Sequence, residues 1–400
     1  MKITAIETIQ LPEHPQLLWV HIFTDEGVTG LGETFPRPSS AKRIIHDVFA
    51  SMLIEKNPLD KEVIFEDLFQ AIHYHGYGGA EMRALSAIDI ALWDIFGKVT
   101  EQPIYRLLGG ESRKEIPVYN TCVGHGAYKD REMFLENPGD LAESLLNEGI
   151  KAMKIWPFDE LSVPTRGQSI TTEALRKGRA VIHEIRERVG DDIDIALEGH
   201  ACWNLPSAIK IAQSLEEYNL MWLEDMVKAD HPKALSQLRK ATTTPICGSE
   251  RLFTRFQYLS LIEHQAVDIV MPDITWTGGF TETKRIADLA SVHQLPIAPH
   301  NCGGPIMNLA NAHLCINIPN LFISEVVRAF YHTYFENIVT QPIQVKNGFM
   351  QIPEGVGLGA ELKPNVLKRN DIEKERSERG IGGDHWAAGD PWKDNLGDRF

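Results

Sequence analysis

Six short apolar segments of this chain each run into an ionisable residue, and those residues recur at nearly one interval. Glu198, Glu224, Glu250, Asp273, His300 and Glu325 are separated by 26, 26, 23, 27 and 25 positions. A strand, a covering helix and two turns occupy about that much chain, so the interval reads as one repeated βα unit. With the segments upstream, eight strands are expected: "IPVYNTC", "KAMKIW", "DIDIALE", "MWLED", "PICGSE", "DIVMPD", "PIAPH" and "FISE". The stretches between them, such as "PSAIKIAQSLEEYN" and "TETKRIADLASVHQ", carry helical periodicity. Apolar strands alternating with helices imply a parallel sheet covered on both faces, and eight units imply a closed (β/α)₈ barrel over about 116–340. The carboxyl ends of such strands form the active-site face, so six ionisable residues are delivered to one rim.

The first 115 residues follow a different, α+β grammar. "KITAIETIQL" and "LLWVHIFTDEGVTGLGETF" alternate apolar and polar residues around turn-forming "DEGVTG", as strands of a meander do. "EMRALSAIDIALWDIFGKV" spaces Met82, Leu85, Ile88, Leu92 and Ile95 as an amphipathic helix ending near Gly97. Beyond residue 340, "VKNGFMQIPEGVGLGAEL" reads as a hairpin or return segment. The last thirty residues are charged and glycine-rich, and are expected to be disordered, with Trp386 and Trp392 as points for docking on a neighbouring surface.

Composition narrows the partners. A net charge of −15 without a basic patch argues against a phosphate-backbone partner, and no nucleic acid is expected. No apolar run reaches the roughly 18 residues needed to cross a bilayer, and "MKITAIETIQL" is unlike a cleavable signal, so a cytoplasmic protein is expected. Five scattered cysteines (Cys122, Cys202, Cys247, Cys302, Cys315) form no CxxC pattern and are expected to be small buried residues in a reducing compartment.

Three glutamates, Glu198, Glu224 and Glu250, converging on one rim would repel one another unless a cation neutralised them. An all-oxygen set suits a hard divalent ion such as Mg²⁺. Asp273 and His300 end consecutive strands. A carboxylate on one ring nitrogen fixes the tautomer and raises the basicity of the other, which makes a general base. Lys154 and Trp156 share a face of their strand: the lysine can neutralise a substrate carboxylate, and the tryptophan can wall a pocket. His200 shares the face of Glu198. A hard cation beside a base is equipped to remove a proton α to a carboxylate and to stabilise the resulting enediolate. If an adjacent hydroxyl then leaves, a 2-keto acid results.

At these residues the sequence resembles the mandelate racemase subgroup of the enolase superfamily, and within it the acid-sugar dehydratases of the galactonate type. "SAIDIALWDIFGKVTEQPIYRLLGG", "LEGH", "LED", "GSE", "MPDITWTGG", "APHNCGGP" and "ISE" carry the resemblance, which spans about residues 1–365. It implies that Glu198, Glu224 and Glu250 bind Mg²⁺, that Asp273 and His300 are the base dyad, that Glu325 hydrogen-bonds the enediolate, and that His200 protonates a departing 3-hydroxyl. It also implies that residues 1–115, completed by about 341–400, form a capping domain that closes the barrel mouth through loops near 14–36 and 72–81. Tyr74 and His75 in the second loop, Trp276 and Asn301 beside the dyad, and Trp156 are the expected substrate contacts. A sugar-acid substrate and a homo-oligomer are implied as partners.

Two departures sharpen the reading. Racemases of the subgroup carry Lys-x-Lys on the second barrel strand, the second lysine being a base opposite the histidine; here that place is Trp156. Abstraction then falls to His300, with a family-implied preference for the R configuration at C2. The first metal ligand is glutamate where many relatives have aspartate. The expected activity is Mg²⁺-dependent dehydration of an aldonate to a 2-keto-3-deoxy acid. A cycloisomerase or epimerase using the same intermediate is the alternative, and a non-catalytic sugar-acid binder is the alternative of another class. No arginine clamp for a distal carboxylate is evident, which leans toward a mono-acid.

Overall fold

The computed structural model describes residues 1–378. Three strands, β1 (Ile3–Gln10), β2 (Leu18–Thr24) and β3 (Thr29–Thr34), form the antiparallel meander. The amphipathic helix spans Ala80–Val99 and lies directly on β3. Gly30 and Gly32 permit this approach, because a Cβ at either would collide with the helix carbonyls of Ala91 and Ala87.

Eight segments then close the barrel. β4 (Ile116–Thr121), β5 (Ala152–Ile155), β6 (Asp194–Glu198), β7 (Trp222–Glu224), β8 (Ile246–Gly248) and β9 (Ile269–Val270) pair in parallel in chain order. β10 (Ser324–Val326) pairs with β4 and completes the ring. The seventh expected strand, "PIAPH", joins only through single bridges, Val270 to Ile297 and Asp273 to His300 on one side and Ile297 to Leu321 on the other. Pro296 and Pro299 each lack the N–H that a continuous ladder requires. Below the rim the barrel is filled by alternating bulky and small residues, among them Tyr119, Ala152, Ala196, Trp222 and Met271. Tyr119 meets Trp222 edge-on at 5.1 Å.

The return segment is a hairpin, β11 (Val345–Lys346) and β12 (Phe349–Met350), whose second strand pairs with β4 of the barrel. The tail differs from its expected disorder over β13 (Glu373–Glu378), which pairs antiparallel with β1 at the edge of the capping sheet. Backbone pairing there needs no apolar side chains. Lys42 and Arg43 bind Glu373 and Glu375, and His46 Nδ1 meets Ser377 Oγ at 2.8 Å. The charged sequence suits a protected edge. Trp386 and Trp392 lie outside the described residues. Among those described, no helix is long and apolar enough to cross a membrane.

Candidate active site

Parallel register sets Glu198 directly beside Glu224 on β6 and β7, and Glu250 follows β8 by two residues. One carboxylate oxygen from each lies within 4.8 Å of the other two, and all three side chains are buried. Glu250 Oε2 is buried without a hydrogen-bond partner. Such a concentration of acid is expensive. Burial, with repulsion from Glu250, pushes Glu198 up to about 7. Glu224 is also raised by burial and by Glu198, against the pull of Lys154. Glu250, although burial opposes its charge, is held below the ordinary carboxylate range by His300 and Arg251. Three converging hard oxygen donors, one with an orphaned oxygen, fit a divalent cation.

Lys154 stands between this triad and β10. Its Nζ lies 2.5 Å from Glu224 Oε1, 3.0 Å from Glu325 Oε1 and 3.8 Å from Glu198 Oε2. Glu325 also accepts hydrogen bonds from Thr121 Oγ1 and, at 2.5 Å, from the Asn301 backbone N–H. Burial opposes its charge, yet Lys154 and His300 hold it down at about 2. Asn301 is fully buried, and its side-chain amide donates to the Glu325 carbonyl and to Asn308 Oδ1, both at 3.0 Å. Its Nδ2 thus braces the Glu325 backbone, while its Oδ1 is buried without a hydrogen-bond partner.

The dyad forms as expected in geometry. His300 Nδ1 lies 2.7 Å from Asp273 Oδ2, and the other carboxylate oxygen is fixed by the N–H and hydroxyl of Thr275, both at 2.7 Å. Burial disfavours charge on the ring, but Glu325 and Asp273 outweigh it and raise the histidine well above its ordinary range. Of the five cysteines expected to be buried, Cys202 and Cys302 are partly exposed, and Cys302 belongs to this cluster. Its thiol lies 3.4 Å from Glu325 Oε1. Phe35 stacks on His300 at 6.3 Å, Trp276 tilts against it at 5.1 Å, and the Trp276 indole donates to the Phe35 carbonyl at 2.6 Å. A capping-domain residue thus covers the His300 ring. Arg83, on the capping helix, lies over Trp276 at 4.6 Å with its Nε buried and without a hydrogen bond.

Across the mouth, the His200 backbone N–H donates to Glu198 Oε1 at 2.5 Å. Its ring Nδ1 lies 2.6 Å from Asp159 Oδ2, and Trp156 meets the ring edge-on at 5.7 Å. In a ring of eight, the strand of His200 is third and that of His300 seventh, so the two histidines belong to opposite sides. Tyr74 and His75 are exposed and meet each other edge-on at 5.2 Å; the structure does not bring them to the cluster. Their loop reaches the rim through Gly78, where a Cβ would touch Phe253 at 3.6 Å. The other capping loop packs His14 on Tyr334 at 4.2 Å, over the connection after β10.

Asp159, Thr121, Arg83 and Phe35 went unread in the sequence, and Cys302 was read only as a small buried residue. Only closure of the barrel and placement of the cap bring them to the rim; for Asp159 the one available signal was its position just beyond "KIW".

Comparison with known proteins bears on this geometry. Residues 3–109 match the family model described as mandelate racemase / muconate lactonizing enzyme, N-terminal domain, and residues 139–366 match that described as enolase C-terminal domain-like. A D-xylonate dehydratase of Haloferax volcanii is 32% identical over 94% of this chain and 90% of its own length. A D-galactonate dehydratase of Ralstonia pickettii is 29% identical over 90% of this chain and 92% of its own. The crystal structure of an Agrobacterium tumefaciens enolase of the mandelate racemase subgroup is 42% identical. It superposes with a TM-score of 0.88 over 95% of this chain and 99% of that one.

Proposed function

The chain belongs to the mandelate racemase / muconate lactonizing enzyme family, and from that premise we propose a Mg²⁺-dependent hydro-lyase that converts an aldonate into its 2-keto-3-deoxy acid. The observation that carries the reading is the pairing of functions across the mouth: a basic His300–Asp273 dyad on one side, His200 on the other, and Trp156 where a second basic lysine would serve racemisation. Dehydratases among the relatives support the reaction class.

Glu198, Glu224 and Glu250 would hold the cation. When bound, Mg²⁺ supplies positive charge for the substrate carboxylate and for the enediolate formed from it. The chain's own groups do the rest. Asp273, 2.7 Å from His300 Nδ1, fixes the ring tautomer and leaves Nε2 to take the weakly acidic C2 proton. Lys154, already facing three carboxylates, contributes a further cation beside the developing oxyanion. Glu325, oriented by Thr121 and Asn301, is placed to hydrogen-bond the protonated form of that oxygen. Phe35 and Trp276 shield the ring from water.

A screen of pentonic and hexonic mono- and di-acids with Mg²⁺ present, read by formation of 2-keto-3-deoxy acid, tests the proposal. At least one aldonate is expected to be dehydrated. A C2 epimer as the sole product would make the enzyme an epimerase, and no turnover of any acid sugar would overturn the reading.

A further inference from the structure

We propose that Asp159 is a positioning residue for His200, so that the enzyme works with two His–Asp pairs, one for each proton moved; the inference rests on the dehydratase reading above. Asp159 opens a one-turn helix, Asp159–Ser162, a few residues beyond β5, and is 41 positions from the histidine it meets. Its Oδ2 lies 2.6 Å from His200 Nδ1, while its Oδ1 is buried and has no hydrogen bond. The carboxylate is thus committed to the imidazole.

The backbone around His200 is built to hold that aim. His200 and Ala201 both take left-handed conformations, φ 44° and 55°, which non-glycine residues adopt at a cost unless surrounding contacts impose them. Those contacts are present. The N–H groups of Gly199, His200 and Ala201 donate in turn to the Glu224 carbonyl, Glu198 Oε1 and the Asp225 carbonyl, at 2.9, 2.5 and 2.6 Å. The ring is then fixed by Asp159 at Nδ1 and by the Trp156 edge, and its side chain keeps 41% exposure. Nε2 is the nitrogen left for substrate. A solvated surface ion pair would need none of this constraint, and would contribute little to stability.

In the step assigned to the pair, the enediolate left by C2 deprotonation forms the C2–C3 double bond as the C3–O bond breaks. The hydroxyl leaves with that electron pair, takes the proton from His200 Nε2 and departs as water. The ring keeps its Nδ1–H on Asp159, and solvent restores the proton to Nε2. The enol then tautomerises to the 2-keto acid. An amide at 159 offers N–H donors as well as a carbonyl and no longer dictates which ring nitrogen faces the mouth.

The test compares wild type, Asp159→Asn, Asp159→Glu and His200→Asn on the aldonate that the screen identifies. Exchange of the C2 hydrogen in D₂O and loss of water are measured separately, together with elimination of fluoride from the 3-deoxy-3-fluoro analogue, a leaving group needing no proton. Asp159→Asn is expected to lower kcat for dehydration by roughly 10²- to 10⁴-fold, the range of a positioned general acid. KM, C2 exchange and fluoride elimination should stay near wild type, and Asp159→Glu should recover part of the rate. Dehydration at the wild-type rate in Asp159→Asn, or equal loss of exchange, fluoride elimination and dehydration, overturns the proposal while leaving the dehydratase reading in place. A wild type that exchanges C2 hydrogen but dehydrates no aldonate overturns both.

Discussion

Lys154 Nζ lies 2.5 Å from Glu224 Oε1, and the two side chains are 3% and 0% exposed. This buried pair joins the proposed metal triad to the chemistry at β10, since the same ammonium reaches Glu325 at 3.0 Å. Removing the cation strands carboxylates in a dry site, a loss of about 3–5 kcal/mol for a broken buried pair. Lys154→Met should therefore unfold earlier in EDTA, with part of the loss restored by Mg²⁺, and should lose most activity. Thermal denaturation in the two buffers measures it; equal stability with and without Mg²⁺ would count against a cation at the triad.

Glu250 bears on the same claim from the other side. Even groups that only orient a metal ligand contribute roughly 10- to 100-fold in affinity. Glu250→Ala should weaken Mg²⁺ binding, followed by calorimetric titration, by more than about 100-fold, and EDTA should abolish wild-type turnover. Unchanged Mg²⁺ affinity in the variant would exclude Glu250 as a ligand.

The division between what the sequence disclosed and what it did not follows from geometry. Strand-end residues were legible because the βα repeat imposes a period, and all six of them stand at one rim. "PIAPH" keeps its place in that period although two prolines reduce it to bridges. "EKERSE" looked too polar to be ordered, because an edge strand is held by backbone pairing and ion pairs that hydropathy does not register. Asp159 and Arg83 reach the mouth from a one-turn helix beyond β5 and from the cap, where no period predicts direction. Asn301 sits next to His300 in sequence, and its side-chain amide binds the Glu325 carbonyl, a contact that no period predicts.

The seam between cap and barrel should make stability depend on pH. Asp89 Oδ2, on the capping helix, accepts the Thr281 N–H of the barrel at 3.1 Å, and burial raises its carboxyl from 3.8 to about 7. In the unfolded chain it ionises near 3.8, so the cost of charging it in the fold grows as pH rises from about 4 to 7 and is constant above. Asp89→Asn should therefore gain stability relative to wild type across that window. Denaturant midpoints at pH 5, 6, 7 and 8 check it; a difference independent of pH would refute the assignment.

Cys302 is partly exposed beside Glu325, yet burial and that carboxylate push its thiol up to about 11. The thiolate is the reactive form, so alkylation at neutral pH should be slow. Iodoacetamide at pH 7 should leave activity largely intact over a period that labels a free thiol, with inactivation accelerating as pH rises toward 11. Rapid inactivation at pH 7, absent in Cys302→Ser, would contradict a protonated thiol.

The central claim is that His300 removes the C2 proton of an aldonate and that water then leaves from C3. Proton NMR of the reaction in D₂O, with wild type and His300→Asn side by side, tests it most directly. The account predicts a 2-keto-3-deoxy acid carrying solvent deuterium at C3 from wild type, and neither product nor C2 exchange from the variant. A C2-deuterated epimer without loss of water, or a variant that turns over like wild type, would contradict it.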